Sequence, residues 1–315
     1  MTVLTVGETM ALFDPARDGP PATGSPYTLR FAGAESNFAV ALARLGVGAR
    51  WVSRLGDDPV GDLIVRTLES EGVDTRWVTR DREAGTGAFM KTRDRGRAHV
   101  QYFRRGSAAS RLVPGDLPDD AFAGVRALHI TGITQALSDG ARATVHHAAE
   151  CAGRLGVHVT FDANFRPALW RDAAEARRAQ DPVLPLVDWY LCGIEEARAL
   201  WGPGTVEALD ARIRGAGARS VVIRVGERGA FVTGRIVAPP QVVEVLDEIG
   251  AGDAFDAGFV YALLLGHDPP HCVHAGHVVA AYALRGTGDW ETLPHLADVQ
   301  QQLDAVLPRT RHPHR

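Results

Sequence analysis

The residues with the most chemical content lie late in the chain, at Gly250-Ala251-Gly252-Asp253. Before them, Val242-Val243-Glu244-Val245-Leu246 is β-branched and apolar enough to predict a strand. After them, Ala254 to Leu265 is apolar almost all round, which predicts a buried helix. The residues between are therefore expected on a tight turn feeding a helix N-terminus. Two glycines there allow positive φ and a close approach of backbone to ligand. The first N–H groups of the helix, with its dipole, favour an anion. Asp253 is the unusual member. A site that only binds phosphate gains nothing from a carboxylate among the donors, whereas phosphoryl transfer needs a base beside its anion hole. The helix N-terminus is expected to keep that aspartate ionised at neutral pH.

Two other readings of the glycine turn are excluded by its neighbours. A Walker loop needs Gly-Lys, and the chain's one lysine, Lys91, follows Met90. A dinucleotide fingerprint needs a third glycine where Phe255 stands, and it belongs after the first strand rather than late in the chain. Net charge of −4 and a pI near 6.3 give no electrostatic case for nucleic acid or an anionic membrane. Because Lys91 is the only lysine among 34 Lys plus Arg, a buried anion has to be met mostly by arginine forks or backbone N–H groups. Cys151, Cys192 and Cys272 are far apart and form no C-x-x-C pair, which suits a reducing compartment. With no leader-like N-terminus and no apolar run of membrane-spanning length, a soluble, cytoplasmic protein is expected.

Positioning these residues calls for an α/β scaffold. Thr2 to Val6 reads as a first strand, with Gly7-Glu8 at the carboxyl end where such folds bind ligands. Residues 13 to 30 carry too many prolines and glycines for a helix and read as short strands and loops. Gly33-Ala34-Glu35-Ser36-Asn37 opens a helix ending at Gly46, and Asp58-Pro59 caps another ending at Gly72. Gly87 to Thr92 and His99 to Arg104 flank Asp94-Arg95-Gly96 as a hairpin. From Ala127 onward, strands at 127–131, 157–162, 189–191 and 220–225 alternate with helices at 138–155 and around Glu195-Glu196. That rhythm predicts a mostly parallel central sheet flanked by helices in three layers. Residues 1–11, 37–84 and 107–309 are assigned to this core, 12–36 and 85–106 to a small β lid over its carboxyl edge, and 310–315 to a flexible tail.

The glycine turn with its Asp247 and Phe255 flanks resembles the C-terminal signature of the ribokinase-like, pfkB-type carbohydrate kinases. The N-terminal counterpart is Gly33-Ala34-Glu35-Ser36-Asn37 with Ala41 to Gly46, then Gly56-Asp57-Asp58 and Gly61. Within that family, Tyr102-Phe103-Arg104-Arg105-Gly106-Ser107, Asp162-Ala163-Asn164-Phe165-Arg166-Pro167 and Gly288-Asp289 are most similar to the kinases of 2-keto-3-deoxygluconate. The resemblance implies a ribokinase-like fold and ATP-dependent phosphorylation of a sugar's terminal hydroxyl with Mg²⁺, a monovalent cation being left open. It implies Asp253 as base, with the N–H groups of Ala251, Gly252 and Asp253 after Gly250 holding charge on the transferred group. Gly33, Ala34 and Asn37 would contact the sugar, flanked by Phe89 and Tyr102. Arg104 and Arg166, each ending a predicted strand, would clamp the carboxylate of an acidic sugar. Asn164, Arg224, Gly226 and Gly229, with Gly250 and Gly252, would serve the nucleotide, and Glu196 the metal, directly or through water.

Some positions depart from the pattern. Gly193 stands where the family has an amide, and Asp256 and His277 stand where small residues or Asn are common. Gly193 leaves room for an idle sugar-binding protein on the same fold, and a kinase of a neutral sugar is the nearer alternative. His267, His271, Cys272, His274 and His277 are close in sequence, with 271, 274 and 277 at helical spacing, but no carboxylate partner is evident and they are read as ordinary helix residues rather than a zinc site. Exposed strand edges on the lid favour a homodimer or higher oligomer.

Overall fold

The computed structural model describes residues 1–308 apart from positions 18, 95, 96, 242, 243, 247 and 287. In chain order the first half comprises β1 Thr2–Val6, β2 Met10–Pro15, β3 Tyr27–Ala32, α1 Ala34–Arg44, β4 Gly48–Gly56, α2 Pro59–Ser70, β5 Val73–Asp74, β6 Val78–Asp81, β7 Ala88–Asp94 and β8 Arg97–Phe103. There follow β9 Val125–Thr131, α3 Gly132–Gln135, α4 Asp139–Leu155, β10 His158–Asp162, α5 Ala173–Gln180, β11 Trp189–Gly193, α6 Ile194–Trp201, α7 Val206–Gly215 and β12 Ser220–Arg224. The chain ends with β13 Ala230–Val232, β14 Arg235–Val237, α8 Ala251–Leu264, α9 Pro269–Leu284 and α10 Leu296–Val306.

The strands make two sheets. The larger runs β14-β13-β12-β11-β10-β9-β1-β4-β5, with β6 also on β4. It is parallel from β12 through to β5 and β6, and only the β12-β13-β14 turnback is antiparallel. Strands covered on both faces need apolar residues on both, hence unbroken runs such as Val221-Val222-Ile223, all buried. One face packs α1, α8 and α9 through Phe38, Leu42, Phe255, Phe259 and Val279, and the other packs α4 and α7 through Val145, Ala149, Leu209 and Ile213. The helix boundaries follow local chemistry. Asp58 caps α2 by accepting from the Gly61 N–H at 2.8 Å with Pro59 at the first position, and left-handed Gly156 ends α4.

The second sheet has four strands in the order β3-β2-β7-β8, with β2 parallel to β7 and the other pairs antiparallel. Its inward side buries Met10, Leu12, Ala32 and Phe89, while Phe13, Leu29 and Phe103 are exposed. This is the small separate sheet expected from sequence, called the lid below, and its strand β2 begins at Met10. The tight end of its hairpin, positions 95 and 96, lies outside the described residues, as does the expected tail from 310 to 315.

One expected element is corrected. Among the described residues 244–246 there is no strand, and Val245 and Leu246 are exposed. In the described part of the main sheet β14 is the edge strand, and residues 244–246 do not pair with it. The Leu246 N–H donates to the Leu284 carbonyl at 2.8 Å, which ties residue 246 to the end of α9. Val242, Val243 and Asp247 lie outside the described residues. No helix among the described residues is long and apolar enough to cross a membrane.

Candidate active site

The turn into α8 is built by one glycine rather than two. Gly250 has φ 76°, and a Cβ there would lie 2.1 Å from the Asp289 carbonyl oxygen, so a side chain is excluded both by conformation and by space. Gly252 is helical, and a Cβ there would meet the Arg224 guanidinium at an ordinary 3.7 Å. The Ala251 N–H donates to the Glu248 carbonyl at 3.3 Å, and the Ala254 N–H donates to Gly250 at 2.9 Å. The N–H groups of Gly252 and Asp253, in the first turn, have no acceptor within the helix. Of the three donors expected, these two are therefore the ones available to an anion.

Asp253 stands in this first turn, and its carboxyl reaches back into the molecule. Asn37 Nδ2 donates to its Oδ2 at 2.9 Å, bridging α1 and α8. Asn37 is thus not a helix cap: Gly33 holds the cap position of α1. Burial pushes the Asp253 carboxyl up to about 7, against the lowering from Asn37 and with a further push from the Asp162 charge. The expectation that the helix N-terminus alone keeps this aspartate fully ionised is corrected, because desolvation outweighs the dipole here. A carboxyl with a pKa near the working pH is well matched to proton transfer.

Asp253 faces a cavity of about 290 Å³ between the lid and the main sheet. Ten of the residues singled out from sequence line it: Gly33, Ala34, Asn37, Phe89, Tyr102, Arg104, Asn164, Arg166, Gly250 and Asp253. Gly33 is required there because a Cβ would come within 2.2 Å of the Glu8 carbonyl oxygen. Phe89 and Tyr102 are cross-strand partners whose rings lie 5.6 Å apart. Arg104 is almost fully buried, with Nη2 at 2.5 Å from Glu8 Oε2, and Ser107 Oγ donates to the other Glu8 oxygen at 2.5 Å. Its guanidinium also lies 5.7 Å from the Tyr102 ring centre. Arg166 is half exposed, with Nη1 3.8 Å from Glu196 and within hydrogen-bonding distance of the Phe165 carbonyl. The two arginines are therefore unequal: one is held by a buried carboxylate, the other is nearly free. Two buried acceptor atoms, Asn37 Oδ1 and Asn164 Oδ1, have no hydrogen-bond partner, and both residues line the cavity. Asn164 holds a left-handed φ of 36° and donates from Nδ2 to Asp162.

Behind the turn the chemistry differs. Arg224 Nη1 donates to Asp256 Oδ1 at 2.6 Å, Nη2 donates to Asp162 Oδ1 at 3.0 Å, and Glu196 Oε2 lies 3.8 Å away. Burial opposes the Arg224 charge, but Asp162, Asp256 and Glu196 together raise its pKa. Burial pushes Asp162 up, yet Arg224 and its other neighbours bring it below the usual carboxylate range. Arg224 is thus committed to carboxylates rather than free for a phosphate, and the segment after it, Gly226–Arg228, is a short helical turn joining β12 to antiparallel β13. Arg224, Gly226, Gly229, Ala251, Gly252 and Glu196 do not line the cavity. Glu196 accepts from the Gly193 N–H at 2.7 Å and from the Phe165 N–H at 2.8 Å. Gly193 therefore caps α6 through its backbone.

Sequence reasoning missed several residues that line the cavity. Lys91, Thr134 and Glu35 are among them. Glu35 is fully buried, accepts from Thr131 and Thr134 hydroxyls at 2.5 Å each, and is pushed up by burial. Gly7 makes room for it, since a Cβ there would lie 2.0 Å from the Glu35 carboxyl carbon. A signal for Lys91 was present: it stands two residues from Phe89 in a predicted strand, hence on the same face.

A carboxyl and two main-chain donors at the end of a cavity agree with the motifs of one family. The model of the pfkB family of carbohydrate kinases matches residues 2–296. The chain belongs to that family. It is accordingly a phosphotransferase acting on a carbohydrate hydroxyl. It is 34% identical to the 2-dehydro-3-deoxygluconokinase of Bacillus subtilis, with 100% of this chain and 98% of that protein aligned. It is also 34% identical to the 2-dehydro-3-deoxygluconokinase of Thermoproteus tenax, with 97% and 95% aligned. Among solved structures, the PfkB protein from Polaromonas sp. JS666 superposes with a TM-score of 0.85 at 34% identity, covering 95% of this chain and 98% of that one. The ribokinase-like fold expected from sequence is therefore the fold observed.

Proposed function

We propose that this carbohydrate kinase moves the γ-phosphate of ATP to the terminal hydroxyl of a sugar acid, with 2-keto-3-deoxygluconate, also called 2-dehydro-3-deoxygluconate, as the best-supported substrate. The observation that carries the reading is Asp253 facing the cavity with an amide as its hydrogen-bond partner, beside the free donors of Gly252 and its own N–H. In this reading Asp253 takes the proton of the attacking hydroxyl, and the two N–H groups hold charge on the transferred oxygens. Gly33 and Ala34 pack against the sugar, Phe89 and Tyr102 flank it, and Asn37 Oδ1 accepts from one of its hydroxyls. Arg166, with Arg104 behind it, meets the sugar's carboxylate. The names of the relatives with 34% identity over nearly the whole chain support the same substrate.

ATP would lie on the β12 side, over the backbone of Gly226 and Gly229, with Asn164 and Gly250 between nucleotide and sugar. The residues there fit a cation. One guanidinium faces three carboxylates, Asp162, Asp256 and Glu196, and burial together with the Asp162 charge holds Glu196 above its usual range. Among the described residues no group of three or more side chains forms a direct metal cage, so Mg²⁺ would be held by Glu196 through water and by the phosphates themselves. When bound, it would offset the phosphate charge. A homodimer through the lid edges β3 and β8, in the cytoplasm, completes the proposal, and gel filtration showing a monomer would remove the dimer.

Coupled ADP-release assays across sugar acids and neutral sugars test the reading. The expected outcome is that kcat/KM for 2-keto-3-deoxygluconate exceeds that for fructose or ribose by about tenfold or more, the effect of one charge-assisted hydrogen bond. Equal efficiency on neutral sugars would reject the acidic substrate, and no ADP release with any sugar would point to an idle binding protein.

A further inference from the structure

In a chain with a single lysine among 34 basic residues of the Lys-plus-Arg kind, that lysine is buried in the wall of the sugar cavity. Lys91 Nζ lies 3.1 Å from Asp289 Oδ2, and both side chains are only 6% exposed. Among the described residues Asp289 is its sole hydrogen-bonding partner, and its ammonium stands 5.9 Å from the Phe89 ring centre. A buried ion pair contributes little net stability over apolar packing, and its best-attested use is to fix one arrangement among several. The arrangement fixed here joins two parts of the molecule. Lys91 belongs to lid strand β7, and Asp289 belongs to the segment between α9 and α10. The Asp289 carbonyl is the atom against which Gly250 packs so closely that a Cβ is excluded. The same segment also holds lid strand β3, through Trp290 Nε1 donating to the Phe31 carbonyl at 3.1 Å and Arg30 Nη1 donating to Glu291 at 2.8 Å.

We propose that Lys91 is a positioning residue for phosphoryl transfer: through Asp289 it holds the Gly250 turn, and with it Asp253, in register with the lid that grips the sugar. The inference rests on Asp253 being the base. A lysine suits the place because a compact ammonium fits beside Phe89 and Asp289 where a planar five-donor guanidinium demands more room.

The test is steady-state kinetics of Lys91→Met, Asp289→Asn and the double variant, with Asp253→Asn as reference. The positioning role predicts kcat lowered by about tenfold or more with the sugar KM within about threefold, since displacing the reacting groups costs rate rather than ground-state binding. In the Asp289→Asn background, Lys91→Met should then have little further effect, because the lysine acts only through that carboxylate. Lys91→Gln, which keeps an N–H donor for Asp289, should recover part of kcat, and melting curves establish that each variant is folded. The double variant removes both charges of the Lys91–Asp289 pair, so it keeps the test available even if Lys91→Met does not fold. A raised KM at unchanged kcat, or losses that multiply in the double variant, would make Lys91 an independent sugar contact and overturn the proposal. Full turnover in Asp253→Asn would instead reject the base assignment beneath it.

Discussion

Asp253 and Asp256 are three residues apart at the start of α8, yet they meet different partners. Asp256 is completely buried and bonded to Arg224 at 2.6 Å. Asp253 looks into the sugar cavity and is bonded to Asn37 at 2.9 Å. The same chemical group near the same helix N-terminus thus receives a cation on one side and an amide on the other. Arg224, bonded to Asp162 and Asp256, joins β10, β12 and α8, while burial and the neighbouring Asp162 and Asp253 charges hold the Asp256 carboxyl well above its usual range against the lowering from Arg224. Asp253, given an amide and facing the cavity, is oriented where a bound hydroxyl can reach it. What separates a structural aspartate from a candidate base here is the partner, not the helix.

The largest expected effect is on turnover. Asp253→Asn should lower kcat by roughly 10²–10⁴-fold, the usual contribution of a positioned base, with little change in sugar KM. Asp256→Asn should leave most of the turnover and lower stability instead. Comparable kcat losses in both variants would erase the distinction between the two sides.

Next in size is stability on the Arg224 side. Arg224→Met leaves Asp162 and Asp256 buried without their cation, and breaking such a pair costs about 3–5 kcal/mol in denaturant unfolding. A loss below about 1 kcal/mol would mean the network is solvated and the comparison too sharply drawn. Smaller still is the effect of Arg166→Ala. It should raise KM about tenfold for a sugar acid and leave a neutral analogue nearly unaffected, in line with one charge-assisted hydrogen bond. Equal effects on both substrates would show that this arginine does not read the carboxylate.

The amount legible in sequence follows from how local each cause is. The Gly250 to Asp253 turn could be read because a left-handed glycine, a helix start and a carboxylate are all specified within four neighbouring residues. The parallel sheet was legible from alternation of buried strands and helices, and the lid hairpin from its turn residues. Arg104 was read as a free clamp because its partner, Glu8, stands at the far end of the N-terminal strand, and no pattern along the chain links the two. Lys91 was legible in principle, because its two-residue spacing from Phe89 on one strand puts both on the cavity face. The run 242–246 shows the opposite failure. Its propensity predicts a strand, but its described residues 244–246 form none, and Leu246 is left exposed. The poise of Asp253 was also beyond the sequence, since burial raises it and side chains more than 200 positions away act on it, Asn37 lowering it through a hydrogen bond and Glu35 raising it through its charge.

A raised pKa also has a consequence for stability. The folded pKa of Asp253, about 7, lies above its unfolded value, so the protonated form is favoured in the native state. Stability from this group is therefore complete at low pH and is lost as pH rises through about 7. Asp253→Asn, which cannot ionise, should raise the melting temperature relative to the parent at pH 8 more than at pH 5. A difference independent of pH would mean that the carboxyl is not desolvated.

The most direct measurement is the pH dependence of kcat/KM for the sugar, which reports the essential groups of the free enzyme. With Asp253 as a base whose pKa is about 7, kcat/KM should rise tenfold per unit through the acidic range and level off above neutrality. The residual activity of Asp253→Asn should lack that limb. A profile already flat from pH 5 upward would place the base at an ordinary carboxylate pKa and contradict the account.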